Sequence, residues 1–82
     1  MKITVTKEDI EKGQRDSVSR CPITRAFKRK TRQKNVRTEY AEIFVTDNYF
    51  KLPKRARKFI KDFDNNGKVK PFSFNVFPAY SD

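Results

Sequence analysis

A chain of 82 residues is about one small domain, of a size that buries only roughly 60 to 65 % of the surface its unfolded form exposes, so a second domain does not fit. With one cysteine and no histidine, the composition excludes an internal disulfide, a structural zinc site and the Cys/His route to nucleophilic catalysis, and an enzyme is not expected. Twenty basic against ten acidic residues leave a formal charge of +10, which biases encounters toward anionic partners.

Lys2 to Thr6 alternates Ile3 and Val5 with polar neighbours and predicts a first strand. Thr6 offers an N-cap, Glu8, Asp9 and Glu11 suit the positive end of a helix dipole, and Gly13 ends this helix after one or two turns. Residues 14–20 read as an irregular basic loop. Pro22 suits a first helical position, so a helix is predicted from Cys21-Pro22 to about Gln33, with Ile23, Ala26, Phe27 and the stem of Lys30 on its buried stripe and Asn35 closing it in a left-handed conformation.

Val36 to Thr46 then reads as one strand, with Tyr40, Glu42 and Phe44 on one face and Ala41, Ile43 and Val45 on the other. Asp47-Asn48 predicts a tight turn, and Tyr49 to Leu52 the returning strand of a hairpin. Pro53 opens a helix whose Ala56, Phe59, Ile60 and Phe63 repeat the buried spacing, and Asp64-Asn65-Asn66-Gly67 stops it. Pro71 to Phe77 predicts a final strand with an aromatic inner face. The fold expected is α+β: a single domain over 1–82 in β-α-β-β-α-β order, with an optional helical turn after the first strand. Two basic amphipathic helices cover one face of a largely antiparallel sheet. Residues 78–82 form a short tail with Tyr80 as its one candidate anchor.

The charge is unevenly placed. Nine basic residues and one acid fall between Gln14 and Thr38, and six more bases with no acid between Lys51 and Lys61. Arg25, Lys28, Arg29 and Arg32 share one side of the first long helix, opposite Ile23 and Phe27. Lys54, Arg57, Lys58 and Lys61 do the same on the second, opposite Ala56, Phe59, Ile60 and Phe63. A run of cations is ordinarily a solvated face. Two such faces without evident neutralising acids point instead to a counter-charge on a partner, and these eight residues are the candidate contacts. Rings around Tyr40, Tyr49 and Phe50 would stack on bases if they lay on an open sheet face, although a chain this poor in aliphatic residues needs most of its rings for the core. The RNA-recognition signature of the type K/R-G-F/Y-G/A-F-V is absent from Tyr49-Phe50-Lys51-Leu52.

Asp62-Phe63-Asp64-Asn65-Asn66-Gly67 matches the opening of a calcium-binding EF-hand loop, but Ser73 stands where its closing glutamate belongs, and no metal or other cofactor is expected. Cys21 reads as a small residue at a helix start. No apolar leader or long apolar run is present, so neither secretion nor membrane insertion is expected.

The opening Ile3-Thr4-Val5-Thr6-Lys7-Glu8-Asp9-Ile10-Glu11-Lys12-Gly13, the Cys21-Pro22-Ile23 ahead of an Ala26-containing basic helix, Leu52-Pro53, Phe59-Ile60-Lys61-Asp62-Phe63-Asp64 and Val69-Lys70-Pro71-Phe72-Ser73-Phe74 together span nearly the whole chain. In this combination the sequence resembles a family of small uncharacterised proteins of bacteriophage genomes. The resemblance implies a phage-encoded protein in the cytoplasm of the infected host, or a packaged virion component, and brings no catalytic residues. Family members are less basic and often run Cys-Pro-Ile-Ala-Leu-Ala where Thr24-Arg25 stands here. The partner expected is nucleic acid, DNA or RNA, with an acidic surface of a host enzyme or defence complex as the alternative.

Overall fold

The computed structural model describes residues 1–78. In chain order the elements are β1 (Lys2–Val5), α1 (Lys7–Lys12), α2 (Pro22–Thr31), β2 (Val36–Glu39), β3 (Glu42–Val45), β4 (Asn48–Lys51), α3 (Lys54–Asp64), β5 (Phe72–Asn75) and β6 (Phe77–Pro78). This is the expected α+β class, and every strand pairing among the described residues is antiparallel. The strands divide between two sheets, β1-β5 and β2-β3-β4-β6.

Local sequence accounts for most of the boundaries. The Thr6 hydroxyl accepts from the Asp9 N–H at 3.2 Å while the Asp9 carboxylate accepts from the Thr6 N–H at 2.9 Å, a reciprocal capping box that starts α1. Gly13 ends it, where a Cβ would lie 2.7 Å from both the Asp9 carbonyl oxygen and the Pro22 ring. That close approach lets α2 begin directly against the end of α1. Cys21 is the N-cap of α2, its sulfur accepting from the Thr24 N–H at 3.4 Å, and Pro22 takes the first helical position. Asn35 does not close this helix. Arg32 does, in the left-handed region at φ 61°, and Lys30 stands exposed where its stem was expected on the buried stripe.

The single strand expected over Val36 to Thr46 is a hairpin. Glu39 pairs with Glu42 around a turn at Tyr40-Ala41, with Tyr40 at φ 41°, and the next turn falls at Thr46-Asp47, one residue before Asp47-Asn48. The predicted last strand divides likewise. Phe72–Asn75 pairs with β1, and Phe77–Pro78 pairs with Lys51 and Phe50 of β4. Pro78 of the expected tail is therefore in a strand, and Tyr80 lies outside the described residues.

One contiguous core joins both sheets and all the helices. Ile3, Val5, Ile23, Phe27, Val36, Ile43, Val45, Phe59, Phe63 and Phe74 are buried in it, with Ile60 and Phe72 packed against its edge. A run of rings ties α3 to β5: Phe63 stacks on Phe59 at 6.1 Å, Phe59 on Phe72 at 4.8 Å and Phe72 on Phe74 at 5.3 Å. Phe27 of α2 meets Phe50 of β4 at 5.4 Å. The Thr24 hydroxyl links α2 to β2 and the preceding loop through the Thr38 hydroxyl and the Val18 carbonyl, both at 2.7 Å.

Candidate functional site

The two cationic helix faces differ once the chain is folded. On α2, Arg29 donates from Nη1 and Nη2 to the two oxygens of Asp9 at 2.7 and 2.8 Å, and again from Nη2 to the Thr4 carbonyl at 2.8 Å. Asp9 has no exposed surface, whereas Arg29 is about half exposed at 49 %. Burial by itself pushes the Asp9 carboxyl up, but the Arg29 hydrogen bonds, the Thr6 N–H and the Arg29 charge together outweigh it and hold the group below its ordinary value. The bond to Asp9 raises Arg29 in turn. Arg25 leans on the same acids, its Nε 3.4 Å from Asp9 and its Nη2 3.8 Å from Glu8. The expectation that this face lacks neutralising acids is thus overturned at Arg25 and Arg29. The acids come from α1, packed alongside, and not from i±4 positions on α2. Among the described residues, Lys28 and Arg32 have no acidic partner within 4 Å, which leaves the end of α2 cationic.

The second face stays largely free. Lys58 pairs with Asp62 one turn on at 2.8 Å, a neutralising acid within α3 itself. Lys54, Arg57 and Lys61 are exposed and have no acidic partner among the described residues. All four of these α3 cations line one open groove of about 800 Å³, whose other side carries Val18 and Tyr40. Tyr40 is 90 % exposed at the tip of the β2-β3 turn. Asp16 and Asp64 also reach this groove, where Asp64 accepts from the Asp16 N–H at 3.0 Å and holds the basic loop against α3. Neither α2 nor α3 has an acid in its first turn. Lys54 and Arg55 therefore sit at the positive end of the α3 dipole, a placement that costs local stability.

Cys21 is buried, and its sulfur is engaged by the Thr24 N–H and hydroxyl as a cap. The turn after α3 is closed by the Gly67 N–H donating to the Asp62 carbonyl at 2.6 Å, with Asn66 at φ 64°. Asp62 and Asp64 turn to different partners, Lys58 and the Asp16 N–H. Among the described residues no group of three or more His, Cys, Asp and Glu side chains could hold a metal ion. Of the rings singled out in the sequence, Phe50 packs on the core, Tyr40 stands free and Tyr49 lies half-buried on the outer face of β4.

Arg37 and Phe44 were not among the candidate contacts, yet they stand in one row with Tyr49 across β2, β3 and β4. The signal for Phe44 was the alternation that buries its neighbours Ile43 and Val45. For Arg37 it was the same alternation between Val36 and Thr38. Among the described residues, no helix is long and apolar enough to cross a membrane. Comparison of the chain with family models, curated proteins and solved structures returns no match.

Proposed function

We propose that this is a non-enzymatic binding protein that contacts nucleic-acid phosphates through the basic face of α3, with Lys28 and Arg32 of α2 as further contacts. The observation that carries this reading is the open groove of Lys54, Arg57 and Lys61, three exposed cations on successive turns of one helix without acidic partners among the described residues. Lys54 stands at the positive end of the α3 dipole, a locally unfavourable placement, and a phosphate chain along the groove would offset that cost and the mutual repulsion of the three cations. Arg25 and Arg29 hold α1 against α2 in this reading and do not bind. Following the resemblance in sequence, the protein is phage-encoded and acts in the host cytoplasm.

The test is binding of labelled duplex and single-stranded oligonucleotides across a salt series. Affinity should fall steeply with salt, and the triple variant Lys54→Gln, Arg57→Gln, Lys61→Gln should flatten the slope by about two to three units of log K per log salt. The fold should survive, because all three side chains point away from the core. Absence of binding by the unmodified protein at low salt, or an unchanged slope in the variant, refutes the reading. A second reading, docking on an acidic protein surface, is favoured by one feature: the exposed Tyr40 stands across the groove from Arg57, and Tyr and Arg are residue types enriched at protein-binding hot spots. Nuclease-resistant recovery of a host protein that depends on Tyr40 would select it.

A further inference from the structure

On the outer face of the four-stranded sheet, Arg37, Phe44 and Tyr49 stand in register across β2, β3 and β4. Their neighbours Val36, Thr38, Ile43 and Val45 are buried and Phe50 packs on the core, so the row faces away from it. The Phe44 and Tyr49 rings stack at 5.7 Å with an interplanar angle of 26°. The Arg37 guanidinium lies over Phe44 at 4.9 Å and is held in that position by an ion pair with Glu39. The result is a row in which the guanidinium and the two rings lie against one another, with the Arg37 charge paired to Glu39 and one guanidinium face and one Tyr49 face at its two ends. It lines an open depression of about 560 Å³ together with Lys28 and Lys34, against a single acid, Asp47.

From this arrangement we infer that the outer sheet face is a base-stacking platform for single-stranded nucleic acid. The inference rests on the nucleic-acid reading above and names its substrate class. The argument is charge and shape complementarity. Unpaired bases offer flat faces to Tyr49 and to the Arg37 plane, and the phosphates between them meet Lys28 and Lys34. A duplex has its bases already stacked and gains nothing from the rings. Lys28 belongs to both the α2 face and this depression, so a phosphate held by α2 lies beside the platform.

The experiment compares oligo-dT, oligo-U and a DNA duplex by fluorescence anisotropy for the unmodified protein, Tyr49→Leu and Tyr49→Phe. Leucine keeps apolar cover on the sheet and removes the ring, and phenylalanine restores it. Tyr49→Leu should weaken one or both single-stranded probes about 5- to 150-fold with no change in salt slope, leave duplex binding as it was, and be rescued in Tyr49→Phe. A response confined to oligo-dT or to oligo-U identifies DNA or RNA, and a response of both identifies a platform that accepts either. If the unmodified protein binds both strand forms and the α3 triple variant weakens them while Tyr49→Leu is silent, the platform is wrong and the phosphate reading stands. Equal loss of duplex and single-strand binding in Tyr49→Leu, or loss in Tyr49→Phe as well, also overturns the platform. No binding by the unmodified protein overturns both.

Discussion

Replacing Arg29 with alanine removes both charged hydrogen bonds to a carboxylate that has no exposed surface. Removing one partner of a fully buried ion pair costs about 3 to 5 kcal/mol. Two features lower that figure here: Arg29 is half exposed, so water screens its own charge, and Asp9 keeps the Thr6 N–H and the nearby Arg25. A cost of about 2 to 3 kcal/mol follows, against a total stability of about 4 to 12 kcal/mol for a domain of this size. Arg29→Glu, which sets a second carboxylate against Asp9, should cost more. The acid dependence follows from Asp9. Its carboxyl is held below the ordinary value in the folded state, so the stability it contributes is complete above the unfolded value of about 3.9 and is lost as pH falls through the folded one. The gap between unmodified protein and Arg29→Ala should therefore narrow in acid. Urea unfolding followed by circular dichroism at pH 7 and pH 3 measures both quantities. A variant within about 0.5 kcal/mol of the unmodified protein at pH 7, or a gap that widens in acid, refutes the structural role given to this pair.

Phe59→Ala should cost about 3 to 5 kcal/mol in the same assay, because the ring is buried and stacks on both Phe63 and Phe72. Gly13→Ala should destabilise by about 1 to 3 kcal/mol, since its Cβ would collide with the Asp9 carbonyl and the Pro22 ring, both parts of packed elements with little room to move. Arg32→Gly should raise stability by about 0.5 kcal/mol by relieving the left-handed φ of 61°, and under the proposed function it should weaken nucleic-acid binding by one phosphate contact. A melting temperature lower than that of the unmodified protein would count against the strain assigned to Arg32.

What could be read from the sequence was what local periodicity and capping chemistry decide. Thr6 and Asp9 close on each other within four residues, Pro22 and Pro53 mark helix starts, and Ala56, Phe59, Ile60 and Phe63 repeat at a spacing that only a helix buries on one side. The Tyr40-Ala41 turn was hidden because neither residue carries the Gly, Asn or Asp signal of a tight turn, and the alternation of Phe44 with Ile43 and Val45 continues as though the strand were unbroken. The division into two sheets was equally invisible, since pairing β1 with β5 is a choice between strands some seventy residues apart that share one alternating pattern. Both helix faces read as cationic from composition and spacing. The pairing of Lys58 with Asp62 was open to an i,i+4 reading, whereas Arg29 finds Asp9 only because Gly13 lets α1 fold back against α2. Which cations of α2 stay unpaired was decided by tertiary structure, because a charge is neutralised by whatever lies within a few ångströms of it, and packing decides that distance where sequence separation does not.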